Sequence, residues 1–229
     1  MGSNPASPTI SLRMKRLAPL LIVATVAALP HRVGAVESPV QRVVVEVASP
    51  SANSGMLKLV EVVDGVESTV LGPVVARVGR SGVKRDRREG DGTTPLGVVE
   101  IVGAFGSMSS PRVRVPYERV TRGDCWISNA ADAAYNTVIR RTPCAPPNED
   151  LYRIAMAGPY EFALTTSYNT SPIVPGKGSA IFIHVHSRDS AGRTKPTSGC
   201  VSVSRSVMKR LFALLDPAKN PTMVVRVRR

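Results

Sequence analysis

Apolar residues along this chain fall mostly in short runs with polar residues alternating among them, the period of strands rather than helices. Val40 to Ala48 is one such run, rich in valine, a residue whose branched side chain packs well on a pleated surface. Met56 to Val63 and Val66 to Leu71 flank Asp64-Gly65, and an aspartate-glycine pair in that setting predicts a hairpin. Val74 to Val78 and Leu96 to Val102 predict further strands. The polar stretch between them, Gly79 to Thr94, reads as an exposed loop. From Ser107 to Asp150 the chain is rich in Pro, Gly, Asp and Asn without a period, which predicts irregular structure covering the core rather than a second domain.

Tyr160 to Tyr168 and Ser179 to His186 return to strand character, and the second run places His184 and His186 near a strand end. Ser204 is suited to cap a helix in which Val207, Met208, Leu211, Leu214 and Leu215 share one face at three- and four-residue spacing. Asp216-Pro217 ends it. Thr222 to Val227 closes the pattern as a strand with arginines on a solvated face. No internal repeat or low-complexity tract interrupts this order, so the fold class is α+β, mainly β, with one late helix and an irregular covering loop.

The 229 residues, 43% hydrophobic and 4% aromatic, suffice for one globular domain. Residues 1–35 have the layout of a secretory signal peptide: the basic stretch Arg13-Met14-Lys15-Arg16, the apolar run Leu17 to Leu29, and the small-residue cleavage site Val33-Gly34-Ala35. The apolar run is too short to span a bilayer, and an uncleaved anchor or a core strand are the rival readings. No cysteine precedes Cys125, so no lipid-acceptor cysteine follows the signal. The expected mature domain is 36–229, exported to a periplasmic, wall-associated or secreted location, with no integral membrane span after cleavage. Cleavage removes four basic residues and no acidic ones, taking the net charge from +13 to +9. Such a surplus favours anionic partners: nucleic acid, acidic wall polymers or a membrane surface. Few aromatics and no recognition motif argue against nucleic acid.

Three cysteines in an oxidising compartment suggest one pair and one free thiol. Cys125 and Cys144 lie close in sequence and are the expected disulfide; Cys200 is left free. It follows Gly199, and once the signal is removed His184 and His186 are the remaining histidines. A thiol becomes a strong nucleophile when an imidazole takes its proton. A glycine before it lets backbone N–H groups face a developing oxyanion. Inert packing of the cysteine and a solvated strand edge for the histidines are the bland alternatives. A third reading uses His184, His186 and Cys200 as zinc ligands, because residues two apart on a strand share a face.

The stretches Gly176-Lys-Gly-Ser-Ala-Ile-Phe-Ile-His184 and Pro196-Thr-Ser-Gly199-Cys200-Val resemble the active-site signature of L,D-transpeptidase (YkuD-type) catalytic domains. Arg88-Glu-Gly-Asp-Gly-Thr-Thr-Pro-Leu-Gly97 resembles that family's early glycine-rich segment, and Asp124-Cys-Trp126, Tyr135-Asn136 and Tyr168-Asn169 resemble segments of its exported members. The ordered set runs from about Val40 to the C-terminus. The resemblance implies a β-sandwich-like domain acting on peptidoglycan stem peptides without metal or other cofactor. Cys200 then matches the acylated nucleophile, His184 the proton acceptor and Gly199 the oxyanion turn. Ser198 stands where a second histidine often precedes the glycine, and Ser202 where a polar or basic residue often follows. His186, sharing a face with His184, is a candidate replacement beside Ser198 in substrate binding.

The expected activity is exported cysteine L,D-transpeptidation through a thioester, or L,D-carboxypeptidation when water is the acceptor. A non-catalytic wall-binding protein on the same fold and a zinc hydrolase are the alternatives. Arg188, Arg193 and Lys195, and the run Lys84-Arg-Asp-Arg-Arg88, read as hydrated basic surface, and Trp126 as a stacking or anchoring residue of the covering loop.

Overall fold

A computed structural model describes residues 39–109 and 111–228; the export segment expected over residues 1–35 lies outside them. The hairpin forms as read. β2 (Ser54–Val63) and β3 (Val66–Arg77) pair antiparallel around Asp64 and Gly65, whose φ values of 49° and 78° give the left-handed turn a tight hairpin needs. The runs at 66–71 and 74–78 are one strand with a register irregularity where it passes Gly72. β1 (Val40–Val47) pairs antiparallel with β2 and parallel with β14 (Thr222–Val227), so the two ends of the domain lie side by side in the sheet.

β14 in turn pairs with β6 (Gly97–Gly106), and β6 with β7 (Tyr117–Arg119). From the other edge, β11 (Phe162–Thr166), β12 (Phe182–Val185) and β13 (Val201–Val203) lead to β3. Because β11 also pairs with β6, eight of the nine strands close into a ring, which leaves few open edges. One face of the sheet packs with α2 (Arg205–Leu214), whose Met208, Leu211 and Phe212, with Leu215 just after it, join Val43, Val45, Leu57, Leu59, Leu164, Ile183, Val201 and Val203 in the main core. Ser204 caps the helix, its hydroxyl accepting from Val207 N.

Alternation along the strands sends the intervening residues to a second core: Phe105, Ala163, Phe182 and Cys200, covered by Val120, Leu151, Ala155 and Tyr160. The 107–150 segment is therefore a cover, as read. It also carries a small sheet of β8 (Asp124–Trp126), β9 (Val138–Arg140) and β10 (Glu149–Asp150), and runs into a short helix α1 (Leu151–Met156). A disulfide joins Cys125 to Cys144 across it, with Cα atoms 5.6 Å apart.

The reading of 79–94 as an exposed loop is corrected. β4 (Val83–Lys84) pairs with β5 (Thr94–Pro95), and Arg87, Thr93 and Thr94 are buried. No helix among the described residues is long and apolar enough to cross a membrane.

Candidate active site

β12 and β13 run parallel, with Ile183 opposite Val201 and His184 opposite Ser202. One step earlier in the same register, Phe182 N donates to Cys200 Sγ at 3.3 Å, and the thiol donates to Ala180 O at 3.0 Å. Cys200 and His184 thus stand on the face opposite the main core, and both line a cleft of about 570 Å³ with Tyr160, Glu149, Arg87 and Ser198. Cys200 is free and 7% exposed; His184 is 6% exposed.

The imidazole has a defined tautomer. His184 Nδ1 lies 2.7 Å from Val185 O; a carbonyl only accepts, so Nδ1 carries the hydrogen and Nε2 keeps the lone pair a base requires. Burial lowers the His184 pKa to about 4, with His186 adding a smaller like-charge effect against the Val185 hydrogen bond. The thiol moves the other way, to about 12, chiefly through burial and next through the Glu149 carboxylate, opposed by the Phe182 N–H and Arg87. At neutral pH the resting pair is thiol and neutral imidazole.

Tyr160 and Glu149 complete the polar environment, and neither stands out in the sequence. The Tyr160 hydroxyl donates to Glu149 at 2.5 Å and its ring meets that of His184 edge-on, 5.2 Å between centroids. It is near enough to Cys200 that each shifts the other's titration. Burial, reinforced by Glu89, raises the Glu149 pKa to about 7 against the opposing Tyr160 bond.

The backbone around the sulfur is held from the cover. Asn136, 3% exposed, accepts from Trp126 Nε1 and Ala180 N and donates to the carbonyls of Tyr168 and Asn169. It fixes Ala180, whose φ of 52° is left-handed and whose carbonyl receives the thiol. Tyr135 links cover and glycine-rich segment, donating to Glu89 and accepting from Gly178 N. Trp126 is an anchor here: its ring packs edge-on against Phe182 at 4.8 Å.

Gly199 N donates to Thr197 Oγ1 at 3.2 Å, and Thr94 and Thr197 both donate to Cys200 O. Ser198 is exposed and accepts from Arg80 Nη1 at 3.0 Å. The expectation for His186 is corrected: it is not among the residues lining the cleft, and its Nδ1 lies 2.9 Å from the fully buried Ser202 Oγ. The zinc reading is corrected with it, because among the described residues no three His, Cys, Asp or Glu side chains converge as a metal site.

The family description "YkuD: L,D-transpeptidase catalytic domain" matches residues 53–227. No curated protein matches the chain. Among solved structures it is similar to the crystal structure of the helical cell shape determining protein Pgp2 from Campylobacter jejuni, at 16% identity and a TM-score of 0.48 over 85% of this chain and 50% of that one. A point mutant of the same protein matches at 17% identity and a TM-score of 0.47, over 85% and 49%. The chain spans about half the length of those structures.

Proposed function

The chain belongs to the L,D-transpeptidase (YkuD) catalytic-domain family, and from that premise we propose that it is an exported acyl-transfer enzyme of peptidoglycan, with Cys200 as nucleophile and His184 as base. The observation that carries the reading is that a free thiol just before β13 and a singly protonated imidazole on the parallel neighbour β12 line the same cleft.

His184 Nε2 takes the thiol proton as sulfur attacks the carbonyl between an L-centre and a D-residue of a stem peptide. With sulfur near 12 and imidazole near 4 at rest, the proton moves with the attack rather than before it. Gly199 N–H is already engaged by Thr197, so the N–H of Cys200 is the donor this turn offers to the oxyanion. Collapse breaks the C–N bond, His184 returns the proton to the leaving amine, and a thioester remains. An amine acceptor then forms a cross-link and regenerates the thiol, while water gives net carboxypeptidation.

Mass spectrometry of the chain incubated with a tetrapeptide-stem muropeptide tests this. An acyl adduct on Cys200 is expected, absent in Cys200→Ala, with turnover reduced about 100-fold or more in His184→Ala. The 7% exposure and raised pKa of the thiol favour a second reading, a wall-binding protein with an inert site. Folded wild-type chain that binds the muropeptide and never forms the adduct would establish that one.

A further inference from the structure

The cleft beside Cys200 contains a buried guanidinium whose hydrogen-bonding capacity the fold leaves largely unused, although its face lies over the Tyr168 ring. Arg87 is 3% exposed, and its Nε and Nη1 have no hydrogen-bond partner. Nη2 reaches only Arg88 O, at 3.5 Å. The nearest carboxylate is Asp91, 3.8 Å from Nε, but its oxygens already accept from Arg88 N, Thr93 N and the Thr93 hydroxyl. A charge withdrawn from water this far is ordinarily paired and hydrogen-bonded. Of the other charged groups of the cleft, Arg80 donates to Ser198 and Gly90 O, Glu89 and Glu149 accept from Tyr135 and Tyr160, and Lys195 is exposed to water rather than buried.

The surrounding backbone leaves room for this guanidinium. A Cβ at Gly178, where φ is 111°, would fall 2.5 Å from Arg87 Nη1, and one at Gly199 would fall 3.3 Å from Nη2. Nη2 therefore lies against the residue immediately before the nucleophile. Two residues beyond the nucleophile, Ser202 is fully buried beside His186 and offers no charge.

We propose that Arg87 is the anion anchor of the cleft and that its ligand is the C-terminal carboxylate of the donor peptide, on the residue released when Cys200 is acylated. The proposal rests on the acyl-transfer reading of the site. Only one amide nitrogen and one α-carbon separate that carboxylate from the attacked carbonyl, so it is the anion of the donor that arrives nearest the sulfur. A planar guanidinium suits it, because its fork matches a carboxylate. The anchor makes the enzyme selective for donors that end in a free carboxylate directly after the scissile bond.

Two tetrapeptide stems differing only at the C-terminus, free acid and primary carboxamide, provide the test. With the full chain, Cys200 acylation is expected to be about 30-fold or more slower for the amide, as for loss of one partner of a buried charge pair. In Arg87→Gln the acid slows to the amide's rate and the ratio collapses towards one, with Arg87→Lys between. Equilibrium binding of both peptides to Cys200→Ala reads the anchor without catalysis and should show the same preference. Equal handling of acid and amide by wild-type chain overturns the anchor, as does full selectivity in folded Arg87→Gln; the wild-type comparison decides even if Arg87→Gln does not fold. Selective binding of the acid without any acylation keeps the anchor and overturns the acyl-transfer reading. A chain that neither binds nor reacts with either peptide overturns both.

Discussion

The sulfur of Cys200 sits in a field set by groups far away in sequence. Burial is the largest influence on its titration, and the Glu149 carboxylate is the next. Glu149 itself titrates near 7, so above that pH it is an anion opposing thiolate formation, and below it that opposition fades. Glu149→Gln, which keeps an acceptor for Tyr160, should lower the apparent pKa of Cys200 and speed its alkylation by iodoacetamide at alkaline pH, on the order of tenfold for one pKa unit. The two proteins should converge below neutrality, and identical alkaline rates would remove Glu149 from the account. Cys200, Gly199 and His184 were legible because a glycine-cysteine turn and a strand-end histidine are local signals. Glu149, Tyr160 and Arg87 were not. Glu149 lies where the chain has no period, Tyr160 is only the first residue of a strand-like run with nothing to mark it as polar machinery, and Arg87 sits in a basic run in which nothing local marks the one side chain that turns inward.

At the scale of elements, most strands of the main sheet, including β12 with His184, followed from their apolar runs, while β13 and the structure that closes over the site did not. Runs such as Val40 to Val47 and Phe182 to Val185 declare a face by composition. β13 and α1 were missed because three and six residues are too few for a period to show. The 66–71 and 74–78 runs looked separate because Gly72-Pro73 reads as punctuation, although the strand continues through it. The cover is held by Asn136 and by the Cys125–Cys144 bridge, whose partners are 19 residues apart. Closing a loop of that length restricts the unfolded chain by about 3 kcal/mol. Cys125→Ser combined with Cys144→Ser should therefore lower unfolding stability by roughly that amount in denaturant titration, and wild-type chain under a thiol reductant should show the same loss. A midpoint unmoved by either would mean that packing of Trp126, Leu151 and Tyr160 holds the cover without the bridge.

Over the whole molecule, cations outnumber acids, 30 Lys and Arg against 17 Asp and Glu, and many acids are already paired: Glu46, Glu61, Asp124, Asp132, Glu161 and Asp189 each meet an arginine or lysine within 3 Å. The lowered pKa values of Glu61, Asp132, Glu161 and Asp189 confine their loss of stabilisation to acid below the ordinary carboxylate range. The window from about pH 7.5 to about pH 5 is therefore governed by the site. His184 binds a proton near 6.5 when unfolded but near 4 when folded, so the unfolded state takes up protons first and stability falls with pH, by about 2 kcal/mol across that window. His186 acts in the same direction, more weakly because it is half-buried. Glu149 acts in the opposite sense: its folded value near 7 exceeds the ordinary 4.5, so the folded state binds the proton first and stability rises as pH falls. Glu149 thus opposes the two histidines, and wild-type stability should change less across the window than either effect alone would make it. Urea unfolding at the two ends separates them. Glu149→Gln should lose at least about 2 kcal/mol on acidification, because the histidine effects then stand unopposed, whereas His184→Gln should gain stability over the same interval. Parallel pH profiles for all three proteins would mean that the buried pair does not titrate in this range.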